Sequence, residues 1–297
     1  MTYRSGFACM LGRPNTGKST LTNALVGSKV AIMSDRPQTT RHTIRGIVSR
    51  PDAQLVLVDT PGFHRPRTLL GERLNELVMA TVAEVDVVIL CVPADQKVGP
   101  GDRFIAAQLA KVAGHTPVIG VVTKTDIASR LQIAERLLEV ADLGEWDELV
   151  PVSAVDNEQI GLLADLLVAR LPEGPQLFPD GELTDSPEQI MVAELIREAA
   201  LKGVRDELPH SIAVVVEDVR RREGRDDLID VEALLYVERD SQKGIVIGTG
   251  GQRLRDVGEQ ARRQIESLLG SSVYLDLRVK VAKDWQRDPK QLRKLGF

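Results

Sequence analysis

The stretch GRPNTGKST, Gly12–Thr20, sets a lysine and two hydroxyl residues behind a pair of spaced glycines, directly after the apolar run FACML of residues 7–11. Gly12 and Gly17 flank four residues and are followed by Lys18 and Ser19, which is the P-loop spacing. Without Cβ atoms, the two glycines let backbone N–H groups turn inward toward phosphate oxygens, with a helix N-terminus behind them. Arg13, Pro14, Asn15 and Thr16 complete the cradle. Lys18 would reach the β- and γ-phosphates, the Ser19 hydroxyl can ligate Mg²⁺, and Thr20 falls on the first helical turn. The alternative is a plain strand-to-helix turn, and the rest of the chain decides between the two.

Three further pieces follow in order. In LVLVDTPG, Asp59 ends an apolar strand, where its carboxylate can hold Mg²⁺ through water. Thr60 and Pro61 make the turn, and the Gly62 N–H can bond the γ-phosphate. In VVTKTD, Asp126 can accept two hydrogen bonds from guanine N1–H and N2–H₂, donors that adenine lacks there. The stem of Lys124 can cover the ring face. In VSA, residues 152–154, Ser153 and Ala154 again end a strand, with backbone N–H groups that can address guanine O6.

With these pieces the first 170 residues resemble the translation-factor-related GTPases, on GRPNTGKS, QTTRH, DTPGF, TKTD and VSA. The resemblance implies GTP and GDP as ligands, Mg²⁺ as cofactor, and a switch threonine that ligates the metal. It places that threonine at Thr40, in SDRPQTTRHT, although Thr39 and Thr43 are rivals that spacing does not separate. The family carries asparagine where this chain has Thr123. A hydroxyl keeps some bonds to the P-loop and base but not the two-ended pattern of an amide. Phe63 stands where Ras-like enzymes use a glutamine to orient water, so slow intrinsic turnover is expected. Related enzymes with an apolar residue there place asparagine in the P-loop and recruit potassium; Asn15 fills that slot, either in that role or as an ordinary loop residue. The catalytic set expected is therefore Lys18, Thr40, Gly62 and Asn15.

Short apolar runs at residues 7–11, 55–58, 85–92, 118–122 and 150–152 alternate with helical patterns such as 102–112 and 131–140. That alternation predicts an α/β fold with a mostly parallel sheet and helices on both faces. Residues 43–49 precede 55–58 by too short a gap for a crossover, so this pair is expected as an antiparallel edge hairpin. The domain is read as 1–171. PEGPQLFPDGELTDSP then holds four prolines and two glycines in sixteen residues and reads as a linker, 172–186. Asp185 or Ser186 can cap the next helix, with Pro187 at its first position, and that helix is expected to reach about Glu207.

Residues 187–297 read as a smaller α+β domain of order α-β-β-α-α-β. Between its last two helices lies Gly248-Thr249-Gly250-Gly251, preceded by Ile245, Val246 and Ile247 and trailed by Arg253, Arg255, Arg262 and Arg263. A lone GxxG is weak evidence. Between two helices, behind an apolar run and ahead of arginines, it resembles a type II KH module, whose loop clamps single-stranded RNA. The apolar residues would floor the bases. Charge agrees: the chain is at −5 overall, but residues 243–297 carry 12 basic and 6 acidic side chains, a local polyanion footprint.

A GTPase domain followed by a type II KH domain resembles, over the whole chain, a family of bacterial ribosome-assembly GTPases. That resemblance implies a monomer that binds the 3′ end of 16S rRNA on the 30S subunit when loaded with GTP and leaves on hydrolysis. It also implies peripheral membrane association, which nothing in the residues predicts. A tRNA-modifying GTPase would need a modification domain, and none is read here. A non-catalytic RNA binder with a relic nucleotide fold is separated by measuring turnover. Cys9 and Cys91 lie in apolar runs and read as small core residues suited to a reducing cytoplasm. No apolar run approaches the roughly 18 residues of a membrane span.

Overall fold

The structure is a computed structural model that describes residues 2–34, 39–204 and 208–297. Residues 35–38 of the expected switch segment and 205–207 at the expected end of the linker-following helix lie outside the described residues. The chain divides into two compact units, Met1–Pro66 with Gly71–Asp185, and Arg67–Leu70 with Ser186–Phe297.

In the first unit β1 (Arg4–Leu11) runs into α1 (Lys18–Val26), then β2 (Ile44–Ser49), β3 (Ala53–Asp59) and α2 (Leu69–Glu84), of which residues 71–84 belong to this unit. β4 (Val87–Pro93), α3 (Pro100–Val112), β5 (Val118–Thr123), α4 (Arg130–Ala141), β6 (Glu148–Pro151) and α5 (Ile160–Ala169) complete it. The strand order is β2-β3-β1-β4-β5-β6. Every neighbouring pair is parallel except β2–β3, the expected edge hairpin. All residues of β3 and β4 are buried, because a parallel sheet is covered on both faces.

The two-residue period of β1 builds both halves of the core. Ala8 and Met10 face one side with Leu21 and Leu25 of α1 and Leu163 and Leu167 of α5. Cys9 and Leu11 face the other with Val78 and Val82 of α2, Ile105 and Leu109 of α3 and Val140 of α4. Burial pushes the Cys9 and Cys91 thiols up to about 12. Both are therefore neutral packing groups. The register pairs Met10 with Asp59 and Pro93 with Thr123, so the loops that carry the sequence motifs leave the sheet at one edge, where α/β proteins bind ligands.

The segment 172–186 is a strap on the first unit. The buried Gln54 donates from Nε2 to Phe178 O at 2.9 Å and accepts from the N–H groups of Leu177 and Phe178 at 2.8 Å, while the Ile47 N–H donates to Leu183 O at 2.9 Å. Asp185 does not cap the following helix; its carboxylate takes a hydrogen bond from Arg45 at 2.7 Å.

The second unit contains α6 (Glu188–Leu201), α7 (Leu208–Ser211), β7 (Ala213–Arg222), β8 (Arg225–Val237), α8 (Asp240–Ile247), α9 (Gln252–Leu269), β9 (Ser272–Val281) and α10 (Pro289–Lys294). Its sheet order is β7-β8-β9, antiparallel then parallel. The expected α-β-β-α-α-β order is present, with α7 and α10 added. Pro187 is the N-cap of α6 rather than its first helical residue. The helix stops at Leu201, short of the expected 207, and Gly203 follows at φ 72°, a conformation that suits glycine and ends helices. The indole of Trp285 is fully buried, donates from Nε1 to Ser211 O at 3.0 Å, and stacks on Phe297 with ring centroids 5.7 Å apart. Among the described residues no helix is long and apolar enough to cross a membrane.

Candidate functional site

Between β1 and α1 the chain turns through Gly12 at φ 156° and Gly17 at φ 87°. A Cβ on Gly12 would lie 2.7 Å from Cys91 O and from Thr16 Oγ1, so only glycine fits. Lys18 is buried and donates from Nζ to Gly12 O at 3.2 Å and to Arg13 O at 2.9 Å. Burial lowers its pKa, an effect the nearby Asp59 partly offsets. A desolvated ammonium held by neutral carbonyls is primed for an anion. The Thr16 hydroxyl donates to Arg13 O at 3.0 Å. The Arg13 side chain turns away from the cradle to Asp102, so any contact it makes with phosphate is through its backbone.

Three side-chain oxygens meet beside Lys18. Ser19 Oγ donates to Asp59 Oδ2 at 2.6 Å, Thr40 Oγ1 donates to the same oxygen at 3.2 Å, and the two hydroxyls are 3.0 Å apart. Asp59 and Thr40 are buried. Of the three candidate threonines, Thr40 brings its hydroxyl here, whereas Thr39 Oγ1 donates to Ser34 O at 3.4 Å. Hard oxygens, one of them charged, are the donor set Mg²⁺ takes while keeping several waters. The residues thus fit the ion, with Ser19 and Thr40 as hydroxyl ligands and Asp59 as the carboxylate. No cluster of three or more His, Cys, Asp or Glu able to hold a metal occurs among the described residues.

Gly62 lies against the P-loop: a Cβ there would be 2.7 Å from Pro14 Cα. The Thr60 hydroxyl donates to Met10 O, so this side chain staples β3 to β1 and does not face the cradle. Pro61 is buried beside it. Phe63 is buried and stacks on Phe104 at 5.7 Å; its ring is core and cannot orient a water. Asn15 sits at φ 64° on the wall of the cavity beside the P-loop, with Lys18, Ser19, Thr39, Thr40 and Gly62.

A second cavity adjoins the first at Gly17 and Thr20 and is lined by Thr123, Lys124, Asp126 and Ala154. Two residues not anticipated from sequence flank it, Ile127 and Val155, 62% and 72% exposed. Apolar side chains that open to solvent beside a cavity suit the faces of a base. Ser153 Oγ donates to Asp126 Oδ1 at 2.9 Å and fixes that carboxylate. The backbone reading of VSA narrows to one group. The Val152 N–H donates to Val122 O and the Ser153 N–H to Glu158 O, which leaves the Ala154 N–H to meet a ligand. Thr123 Oγ1 donates to Thr16 O at 2.6 Å, so this hydroxyl still ties base loop to P-loop.

In the second unit, Gly248, Gly250 and Gly251 have φ of 72°, 59° and 75°, and with Thr249 they link α8 to α9. Of the expected apolar floor, Ile245 is 55% exposed and Ile247 half-buried, but Val246 is 1% exposed and belongs to the core, since consecutive helical residues point about 100° apart. Arg253 also departs from expectation. Its Nη2 donates to Ala200 O at 3.3 Å and Lys202 O at 2.9 Å, satisfying carbonyls at the end of α6. Arg255 is exposed and donates to Gly250 O at 2.6 Å. A groove runs from Gly251 along Arg255, Gly258 and Arg262 of α9, with Tyr274 and Leu275 of β9 opposite. β9 is an edge strand, and alternate backbone groups of an edge strand are open to a ligand. Sequence spacing had not joined β9 to this site.

Gly258 has a testable meaning. It sits within α9, where glycine costs about 1 kcal/mol relative to alanine, yet an added Cβ would meet nothing within 4 Å. Internal packing does not require the glycine. The Gly258→Ala variant should be more stable to denaturant unfolding by roughly 0.5–1 kcal/mol, and bind single-stranded RNA several-fold more weakly. Parallel unfolding and RNA titrations check both signs; unchanged RNA affinity would show that the open space serves no ligand.

Residues 7–124 match the family model described as 50S ribosome-binding GTPase, and residues 207–286 match that of the KH domain. The chain is 67% identical over 296 residues to GTPase Era of Mycolicibacterium smegmatis, covering 99% of both chains. It is 65% identical over 303 residues to GTPase Era of Streptomyces coelicolor, covering 99% of this chain and 95% of that one. A crystal structure of Era in complex with MgGDPNP and nucleotides 1506–1542 of 16S ribosomal RNA is similar at TM-score 0.93 and 34% identity, covering 99% of both chains. A variant of Aquifex aeolicus Era bound to GDP.AlF4- is similar at TM-score 0.92 and 34% identity.

Proposed function

This chain belongs to the Era family of GTPases, and from that premise we propose that it is a GTP-hydrolysing switch which binds 16S rRNA near its 3′ end and acts in assembly of the 30S subunit. The observation that carries the nucleotide half is the meeting of Ser19, Thr40 and Asp59 oxygens beside a buried Lys18. The subunit assignment follows the RNA-bound relative; the family label that mentions the 50S subunit covers only residues 7–124.

The residues divide the work. P-loop N–H groups and Lys18 hold the phosphates, and Asp126, fixed by Ser153, accepts from guanine while Lys124 and Ala154 border the ring. Bound Mg²⁺ supplies charge neutralisation at the phosphates. Thr40 and the Gly62 N–H are set to register the γ-phosphate, whose loss on hydrolysis removes the reason for either segment to stay. The exposed GxxG loop, Arg255 and the α9–β9 groove hold the RNA. We place this work in the cytoplasm, as a monomer.

Asp126→Asn should exchange guanine preference for xanthine, because an amide presents a donor where the carboxylate accepted. GTP and XTP titrations should show the ratio of affinities falling by about two orders of magnitude. An unchanged ratio would remove Asp126 from base reading. Turnover with and without 30S subunits tests the enzyme and its target together.

With Phe63 in the core, another group must aid hydrolysis, and we assign that part to a potassium ion held with the help of Asn15. The rate should be higher in KCl than in NaCl at equal ionic strength, and Asn15→Ala should abolish the difference. Equal rates in both salts for the parent overturn the assignment.

A further inference from the structure

The Arg13 side chain leaves the phosphate cradle for α3. Its Nε donates to Asp102 Oδ1 at 2.7 Å and its Nη2 to Gln96 Oε1 at 3.3 Å. Asp102 is 1% exposed and lies in the first turn of α3, where its other oxygen accepts the Gly99 N–H at 2.9 Å. Helix N-termini favour such a carboxylate. Gly101 makes room for the pair: a Cβ there would fall 2.6 Å from Arg13 Cδ. Two residues after Asp102, Phe104 stacks on Phe63, with centroids 5.7 Å apart and planes at 21°.

One helical turn therefore grips two segments that meet each other. Residue 13 precedes Pro14, and residue 63 follows Gly62. Gly62 and Pro14 are in such close contact that a Cβ on Gly62 would lie 2.7 Å from Pro14 N. The Phe63 N–H donates to Gly12 O at 3.0 Å, and the Arg13 and Gly12 carbonyls are the ones that hold Lys18. The groups around the γ-phosphate position thus take their spacing from α3.

We propose that the N-terminal end of α3 is a brace for the γ-phosphate end of the site, with Asp102 and Phe104 as positioning residues acting through Arg13 and Phe63. This rests on the GTPase reading. The brace bears most directly on Pro14 and Gly62, which border the γ-phosphate, and touches no residue that lines the base cavity. Loosening it should therefore cost GTP more than GDP.

The test compares the parent with Asp102→Asn and Phe104→Leu, the latter keeping an apolar side chain while removing the ring. Affinities for GDP and for a non-hydrolysable GTP analogue are measured with Mg²⁺, alongside kcat, KM and the thermal midpoint. Affinity for the analogue should fall about tenfold and kcat should fall with it, while GDP binding stays within about twofold, as expected when one charge-assisted contact is weakened. Equal losses for both nucleotides would mean a merely structural role, and unchanged values for both would mean none; either overturns the brace. If Asp102→Asn does not fold, Phe104→Leu and Arg13→Gln decide the question on the same readouts. A parent that binds neither nucleotide overturns the underlying GTPase reading instead.

Discussion

Lys18→Ala loses GTP, with affinity down by about a thousandfold, and keeps the fold. The size follows from what the ammonium lacks in the protein itself. Its two hydrogen-bond partners are the neutral carbonyls of Gly12 and Arg13, and burial already lowers its pKa. Phosphate oxygens are the anions this buried cation is placed to meet. Charge-assisted hydrogen bonds are worth about 1.5–3 kcal/mol each, so losing two gives the expected factor. Removing a desolvated charge takes nothing from the core, and the thermal midpoint of the nucleotide-free variant should equal or exceed the parent's. Titration with a fluorescent GTP analogue, with thermal unfolding beside it, checks both. Parent-like affinity would mean that this loop is no phosphate cradle.

Gly250→Asp should lower RNA affinity by about a hundredfold or more and leave GTP hydrolysis unchanged. The local backbone tolerates the change better than most. Gly250 has φ 59° and nothing within 4 Å of an added Cβ, and Asp is among the few residues that visit the left-handed region. The damage falls on the ligand, since a carboxylate occupies the approach of a phosphate and repels it. Salt dependence separates the arginines. Arg255→Gln should reduce the slope of log affinity against log salt by about one. Arg253→Gln should instead lower stability, because its guanidinium holds the end of α6. The measurement is binding of a short single strand copied from the 16S 3′ end, over a salt series, with GTPase rate as control. If Gly250→Asp bound that strand like the parent, this loop would not be the clamp.

The legible parts of this molecule were those in which chemistry and spacing are local. Gly12, Gly17, Lys18 and Ser19 lie on one turn, and Asp59 and Asp126 each follow an apolar strand, so a one-dimensional pattern contains them. Thr40 was not separable from Thr39, because adjacent residues of an irregular segment differ only in where their side chains point. Arg253 and Arg255 looked alike for the same reason: one turns back to carbonyls near residue 201 and the other stays at the surface. Val246 was readable in principle, as helical periodicity sends it inward while Ile245 faces out. Gly203 likewise carried a stop signal before residue 207. The α9–β9 groove needs the strand order β7-β8-β9, which no local pattern encodes.

Trp285 and Trp146 are the chain's two tryptophans, and they fall in different compact units. Trp285 has no exposed surface and stacks on Phe297, whereas Trp146 is half-buried and donates to Val140 O at 2.8 Å. Nature has thereby given each half its own optical label. Emission from Trp285 belongs at the blue end and should move red when the second half melts or when Phe297 is replaced by alanine, and Trp146 reports the nucleotide half.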